Sequence, residues 1–277
     1  LTDAAGNESP HSAALPLTVD TAAPAAPTGV TVTDDVAPVT GAIAANGASN
    51  DNKPTFAGAA GSAEAGSTIT VMDGATVLGT AVVAADGSWS VTPTTALADG
   101  AHSITTRATD AAGNVSPVSP ALALTVDTAA PAAPAAITGY ADDIGRITNP
   151  NSTAPVTDDN RPGFNVGTGL TDTPSLYVDG VKVPATYDPV TGMLTPTTPL
   201  ADGAHSITTT LTDAAGNESP QSAALPLTVD TAAPAAPAAP TSTAPSTNDN
   251  TPGIHIGVGL TDTPSLYVDG VKVPATY

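Results

Sequence analysis

The sequence has no cysteine and very few aromatic residues. Without cysteine, neither a disulfide nor a cysteine-ligated zinc site can stabilise the fold. Aromatic residues make up only 3% of the chain, with a single tryptophan, so the cores must be built from small aliphatic and β-branched side chains. Such a composition favours strands over helices.

Positive charge is also scarce, with 6 lysine and arginine residues against 26 acidic ones and a net charge of −20. Nucleic acids and anionic membranes are therefore not expected as partners, because both require clustered basic residues. No apolar run approaches the roughly 18 residues of a membrane span, so direct membrane insertion is not expected. All but three of the acidic residues are aspartate, which suits turns and also provides short oxygen ligands for hard cations.

Two sequence strings recur at a domain-sized period. TDAAGN begins at Thr2, Thr109 and Thr212, at intervals of 107 and 103 residues, and VDTAAP follows each copy at the same period. Intervals of this length indicate tandem domains and not a solenoid. The predicted division is a C-terminal fragment of a repeat (1–24), two complete domains (25–131 and 132–234) and an N-terminal fragment (235–277). We expect the chain to be an excerpt from a longer array.

Each complete repeat contains about seven short segments of strand character separated by turns. In Ala101–Thr109, for example, Ile104, Thr106 and Ala108 alternate with polar residues, as in a half-buried strand. The pairs Asp73-Gly74 and Asp179-Gly180 are typical of two-residue hairpin loops. No segment has the apolar stripe of a helix. The predicted fold is all-β, with tandem immunoglobulin-like β-sandwiches arranged in an extended rod.

Several strings together, among them VDTAAPAAP, DDVAPVTGAI, NDNKPTF, DGSWSVTP, LADGAHSIT and TDAAGN, resemble the bacterial Ig-like repeats of giant type I-secreted adhesins. The resemblance covers the entire chain. It implies a long rod with calcium at the domain junctions, which carries a distal adhesive region away from the bacterium. It also implies a monomeric virulence protein that is secreted, or retained at the bacterial surface, and that contacts host cells through other regions.

Strand direction predicts where TDAAGN lies. In a seven-strand sandwich, the loop between strands six and seven returns to the pole at which the domain begins, where it meets the preceding linker. Carboxylate and amide oxygens from two domains could then form a Ca²⁺ site. The alternative is a plain turn in which the aspartate caps its own backbone. The candidate ligands are Asp20 with Asp110 and Asn114, and Asp127 with Asp213 and Asn217.

A second set of acidic residues is expected at the opposite pole of each domain, where it could form another Ca²⁺ site or remain a solvated loop. A junction ion there could share a linker aspartate, either Asp127 or Asp230. Arg146 and Arg161 lie close to the set in the second repeat and would compete with a metal. The set comprises Asp34, Asp35, Asp51 and Asp99 in the first repeat, and Asp142, Asp143, Asp158, Asp159 and Asp202 in the second.

No residue is predicted to be catalytic. His102 and His205 lie beside a serine and near an aspartate, which superficially matches a catalytic triad. Adjacent residues of a strand point to opposite faces, however, so each histidine is better explained as packing on the sandwich.

The leading function is a structural rod of a secreted adhesin. A glycan-binding module is one alternative, although it would normally expose aromatic residues for stacking on sugars. A non-catalytic spacer of an extracellular hydrolase is the other alternative.

Overall fold

The computed structural model describes residues 1–145, 148–236, 239, 249–256 and 262–276. Within these ranges every regular element is a strand, and no helix is present that could cross a membrane. The strands form two sandwiches in tandem, here called the first sandwich (30–126) and the second sandwich (140–229). The prediction of an all-β chain of tandem Ig-like domains is confirmed.

The first sandwich consists of two sheets. One has the strand order β2-β1-β4-β7, and the other has the order β3-β9-β8-β5-β6. All pairings are antiparallel except that of β3 with β9. The strands are β1 (Val30–Asp34), β2 (Gly41–Ala42), β3 (Ala48–Ser49), β4 (Thr55–Gly58), β5 (Thr68–Asp73), β6 (Thr76–Val82), β7 (Trp89–Val91), β8 (Gly100–Thr109) and β9 (Leu122–Val126).

The core of the first sandwich follows the alternation in the sequence. Ile104, Thr106 and Ala108 are all buried on one face of β8, as predicted. Phe56 and Trp89 supply the only large aromatic surface of this core, and aliphatic side chains fill the remainder. Burial of these apolar surfaces is the main force that holds the two sheets together.

The second sandwich repeats this plan. Its sheets have the orders β11-β10-β13-β17-β16 and β12-β19-β18-β14-β15, with β12 parallel to β19. Tyr140 and Phe164 lie at the centre of its core, with ring centroids 6.5 Å apart. The strands are β10 (Tyr140–Asp142), β11 (Asn149–Ser152), β12 (Val156–Thr157), β13 (Gly163–Asn165), β14 (Thr173–Val178), β15 (Val181–Val183), β16 (Ala185–Asp188), β17 (Met193–Pro196), β18 (Gly203–Thr212) and β19 (Leu225–Val229).

A long connection joins the first two main strands of each sandwich. It spans residues 35–54 between β1 and β4, and residues 143–162 between β10 and β13. Two short strands lie in each connection, and one of them pairs in parallel with the last strand of the domain. The long connection therefore lies at the C-terminal pole, where the chain leaves for the next repeat.

The hairpin turns follow the prediction in one sandwich and depart from it in the other. Asp179-Gly180 forms the two-residue loop between β14 and β15, and both residues have positive φ (53° and 79°). The prediction for the first sandwich is wrong by one residue, because Asp73 pairs with Thr76 and the loop is Gly74-Ala75. The register of this hairpin shifts between Val71 and Met72, where the facing strand carries one extra residue.

The ends of the chain contain little regular structure among the described residues. A hairpin of β20 (Leu266–Val268) and β21 (Val271–Val273) repeats the β14–β15 hairpin. Near the N-terminus, Thr2 and Glu8 form an isolated antiparallel bridge around the first TDAAGN. Much of the predicted fragment 235–277 lies outside the described residues.

Candidate functional site

Each TDAAGN forms a closed loop that is held by its own aspartate. Asp213 Oδ1 accepts hydrogen bonds from the backbone N–H groups of Ala215 and Asn217, both at 2.9 Å, and its Oδ2 accepts one from Asn217 Nδ2 at 2.9 Å. The loops at Asp3 and Asp110 are built in the same way. The hydrogen bond from the Asn114 amide, and those from the loop backbone, hold the pKa of Asp110 below its usual value despite some desolvation.

The loop also contacts the preceding linker. Asn217 Nδ2 donates to the backbone carbonyl of Asp127 at 2.8 Å, and Asn114 Nδ2 donates to that of Asp20 at 3.1 Å. The linker carboxylates are engaged elsewhere, since Asp127 Oδ1 accepts the N–H of Ala129 at 3.0 Å. The structure thus brings the loop and the linker together through an amide and a carbonyl, and not through paired carboxylates.

In the first sandwich, two members of the acidic set at the C-terminal pole are buried and hydrogen-bonded, whereas Asp35 and Asp99 are exposed. Asp34 and Asp51 are both buried, and Ser49 links them by donating to Asp34 Oδ2 at 2.6 Å and accepting from the N–H of Asp51 at 3.1 Å. The N–H of Lys53 donates to Asp51 Oδ1 at 2.7 Å. The N–H of Asp35 makes a long contact of 3.5 Å with Asp51 Oδ2. These donors replace the water that the carboxylates lose on burial.

The equivalent set in the second sandwich is less completely satisfied. Asp142 and Asp159 are 7% and 2% exposed, and Thr157 donates to Asp142 Oδ2 at 3.0 Å. Asp142 Oδ1 and Asp159 Oδ2 are buried and have no hydrogen-bond partner among the residues that the structure describes. Burial raises the pKa of the Asp159 carboxyl above its usual value, and the negative charges of Asp143 and Asp142 raise it further.

The other candidate ligands lie apart from these buried pairs. Asp99 and Asp202 accept hydrogen bonds from the threonine that follows each linker aspartate, Thr128 and Thr231. The carboxylate of Asp158 lies so close to Gly145 that a Cβ at that position would overlap it. Across the described part of the chain, no three or more His, Asp or Glu side chains form a group that could hold a metal ion by themselves. Arg146 lies outside the described residues.

Sequence reasoning missed a hydrogen-bonded histidine in each sandwich. His102 Nδ1 contacts Asp73 Oδ2 at 2.7 Å and its Nε2 contacts the Ala98 carbonyl at 2.8 Å. His205 makes the same contacts with Asp179 and Ala201, both at 2.8 Å. The sequence signal was present, because an aspartate at a hairpin turn precedes an Ala-His-Ser segment in both repeats. No serine hydroxyl takes part in this arrangement, which ties a hairpin to a strand and does not form a triad.

The family model of the bacterial Ig-like domain matches the chain twice, over residues 27–128 and 136–231. These matches cover more than half of the sequence, and the chain belongs to the bacterial Ig-like domain family. No curated protein matches it significantly.

Several solved structures are similar in fold. The fibronectin(III)-like modules of Clostridium thermocellum CbhA share 14% identity at a TM-score of 0.41, over 72% of this chain and 93% of theirs. A 1.5-MDa bacterial ice-binding adhesin shares 22% identity at a TM-score of 0.30, over 65% of this chain and 59% of that structure. A tetra-tandem repeat in the extending region of a large adhesion protein shares 20% identity at a TM-score of 0.23, over 76% of this chain and 50% of that structure. At these TM-scores the similarities carry no argument about this chain.

Proposed function

Because the chain belongs to the bacterial Ig-like domain family, we propose that it is a non-catalytic structural region of a secreted bacterial surface adhesin. Its tandem domains form a calcium-stiffened rod that presents a distal adhesive region to host cells. The observation that carries the proposal is the repeated contact between the TDAAGN loop of each sandwich and the linker before it, through Asn114 in the first sandwich and Asn217 in the second.

The linkers support an end-to-end arrangement. Each runs from VDT into a segment rich in alanine and proline, and proline favours an extended backbone. A short extended linker leaves little slack for two sandwiches to fold back on each other. The hydrogen bond from Asn217 to the Asp127 carbonyl further restricts the angle at which the second sandwich leaves the first.

Calcium binding is proposed first for the C-terminal pole of the second sandwich. Asp142 and Asp159 each bury a carboxylate oxygen with no partner among the described residues, and an ionised oxygen in that state is strongly destabilising. A Ca²⁺ ion accepts six to eight oxygen ligands, so two carboxylates could be supplemented by backbone carbonyls and water. The corresponding pair in the first sandwich, Asp34 and Asp51, already accepts hydrogen bonds from Ser49, Val36 and Lys53.

A calcium ion at the junction predicted between TDAAGN and VDT would require the loop to rearrange. Both oxygens of Asp213 already accept N–H donors of its own loop, and a cation there would have to replace them. The plain-turn alternative accounts for these contacts without a metal.

Calcium titration of the full chain tests the metal proposal. With a dissociation constant on the order of 10⁻⁴ M, millimolar calcium would stabilise a domain by roughly 1.4 kcal/mol per site. Isothermal titration calorimetry should therefore detect binding that the double variant Asp142→Asn/Asp159→Asn abolishes. The variant Asp188→Asn, which alters an exposed turn carboxylate, is the control and should bind as the wild type does. Wild-type protein that takes up no calcium at millimolar concentration would refute the proposed site.

Small-angle X-ray scattering tests the rod. We expect a maximum dimension that requires the sandwiches to lie end to end in millimolar calcium, and a broader distribution of dimensions in chelator. A compact particle in which the sandwiches lie side by side would contradict the proposed function. Binding to a glycan array by the same chain would favour the alternative of a glycan-binding module.

A further inference from the structure

Two TDAAGN loops with the same sequence differ in burial. In the second sandwich Ala215 and Gly216 are buried, whereas Ala112 and Gly113 at the same positions of the first sandwich are exposed. The loops have the same internal hydrogen bonds, so the difference arises from what lies against them: residues 1–29, which precede the first sandwich, include no long connection that could cover its loop. The loop of the second sandwich is covered by the long connection of the first.

Asn50 makes the polar contacts of this joint. Its backbone N–H donates to the Ala215 carbonyl at 2.9 Å, and its Nδ2 lies 3.4 Å from the Gly216 carbonyl and 3.3 Å from the Ala37 carbonyl. One asparagine side chain thereby joins its own long connection to the tip of the next domain. Both partners are acceptors, and the amide NH₂ group has two N–H donors to serve them, whereas a carboxylate has none.

Val39 makes the apolar contact. It lies so close to Gly216 that a Cβ added to the glycine would be 3.0 Å from the valine Cβ. Gly216 also has a φ of 98°, a conformation that residues with a side chain rarely adopt. At Gly113 the φ is 92°, but an added Cβ would meet nothing within 4 Å. Gly216, at the tip of the second loop, is therefore confined both by the backbone conformation of its own turn and by Val39 of the preceding repeat.

We propose that the long connection of each repeat is a receptor for the TDAAGN tip of the next repeat. The residue at the Asn50 position then determines whether a side-chain hydrogen bond joins the two repeats. The second sandwich has Asp158 at this position, between Thr157 and Asp159, which correspond to Ser49 and Asp51 in their contacts. Aspartate lacks the amide donor, and the Asp158 carboxylate lies against Gly145 of its own long connection.

We therefore expect two kinds of joint along such an array. The joint after the first sandwich closes through the Asn50 amide, whereas Asp158, at the equivalent position of the second sandwich, has no side-chain donor. The third repeat returns to asparagine in the string NDN at 248–250. An array in which some repeats have asparagine and others aspartate at this position would contain both stiff and flexible joints. The inference rests on the end-to-end arrangement proposed above and adds the residue that distinguishes one joint from another.

Distance measurement between spin labels tests the joint on the full chain. Because the chain has no cysteine, the exposed residues Val82 and Val190 can be replaced by cysteine and labelled without background. Wild-type protein should give a narrow distance distribution between the two sandwiches. Asn50→Asp should increase the population outside the main peak by about fivefold, as expected for the loss of one hydrogen bond. The matched variant Asp158→Asn changes the equivalent position of the next receptor and should leave this distribution unchanged.

The outcomes separate the joint from the proposed function. A broad distribution in the wild type would overturn the end-to-end arrangement itself. Narrow distributions in both the wild type and Asn50→Asp would overturn the joint alone and leave the rod intact. If fluorescence of Trp89 shows that Asn50→Asp unfolds the first sandwich, Val39→Ser on the exposed part of the long connection tests the same contact, with the same expected broadening.

Discussion

Raising the pH from about 6 to about 9 is expected to destabilise both sandwiches through equivalent histidines. His102 and His205 each contact a carboxylate through Nδ1 and a backbone carbonyl through Nε2. Both partners only accept hydrogen bonds, so both ring nitrogens must carry a proton for both bonds to form. The neutral ring has a single N–H, and deprotonation therefore removes one of the two bonds.

The direction of the pH effect follows from the folded-state pKa. Burial lowers the pKa of His102, but the hydrogen bonds to Asp73 and to the Ala98 carbonyl outweigh it and raise the pKa overall. For His205 the hydrogen bond to the Ala201 carbonyl raises the pKa most, followed by the bond to Asp179. The unfolded value is about 6.5. A raised folded pKa gives stability that is complete below the unfolded pKa and is lost as the pH rises through the folded pKa.

The expected size of the effect is measurable. A hydrogen bond to a charged group contributes about 1.5–3 kcal/mol, and each sandwich loses at least one such bond on deprotonation. A domain of this size is stable by only about 5–15 kcal/mol in total. The melting temperature should therefore fall on the order of 10 °C between the two pH values.

Tryptophan fluorescence can isolate the effect in one domain. Trp89 is the only tryptophan and is buried in the core of the first sandwich, so its signal reports the unfolding of that domain. His102→Gln should remove most of the pH dependence of the fluorescence transition, because glutamine does not titrate. His205→Gln is the matched control and should retain it. A wild-type transition that is flat or rises between about pH 6 and about pH 9 would refute the assignment of a protonated ring.

Two further substitutions test the loop and the buried acidic set. Gly113→Ala and Gly216→Ala should each cost about 1–2 kcal/mol for the left-handed backbone. Only Gly216→Ala should also broaden the distance distribution between the sandwiches, because its Cβ meets Val39, and equal broadening in both variants would contradict the joint. Ser49→Ala should destabilise the first sandwich by about 1–3 kcal/mol for each buried partner that it leaves unsatisfied, measured by denaturation followed through Trp89. The exposed Ser90→Ala is its control, and equal stabilities of the two variants would contradict a structural role for Ser49.

Local pattern was sufficient to predict most of the fold. The alternation in Ala101–Thr109 placed Ile104 and Ala108 in the core, because side chains of a strand alternate between faces regardless of what they pack against. The Asp179-Gly180 loop was predictable for a similar reason, since a two-residue hairpin loop of type I′ needs positive φ at both positions and Asp-Gly favours it. At Asp73 the same signal was misleading by one residue, because a bulge in the facing strand depends on packing and not on turn residues.

The long connections were less predictable. Their strands are only two to four residues long, and β2 contains glycine and β11 contains proline and asparagine, which strand propensity disfavours. They form because β3 and β12 complete the edge of a sheet whose last strand lies about seventy residues later. Strands whose pairing partners lie this far away in the sequence leave no signal in the local residue pattern. The acidic residues of this segment were identified from composition, but their burial and the unpartnered oxygens of Asp142 and Asp159 depend on that same distant pairing.

The joint shows why identical repeats need not be equivalent. Asp110 and Asp213 close the same turn with the same bonds, so the six residues of TDAAGN fully determine the loop. They do not determine its surroundings, since the groups that cover Ala215 and Gly216 come from Val39 and Asn50, more than 160 residues upstream. Tolerance to substitution at a loop position must therefore depend on the preceding repeat. Both Gly113 and Gly216 need a left-handed backbone, but Gly216 is confined in addition by Val39 of the preceding repeat, so the effect of a substitution at such a joint depends on the pair of adjacent repeats.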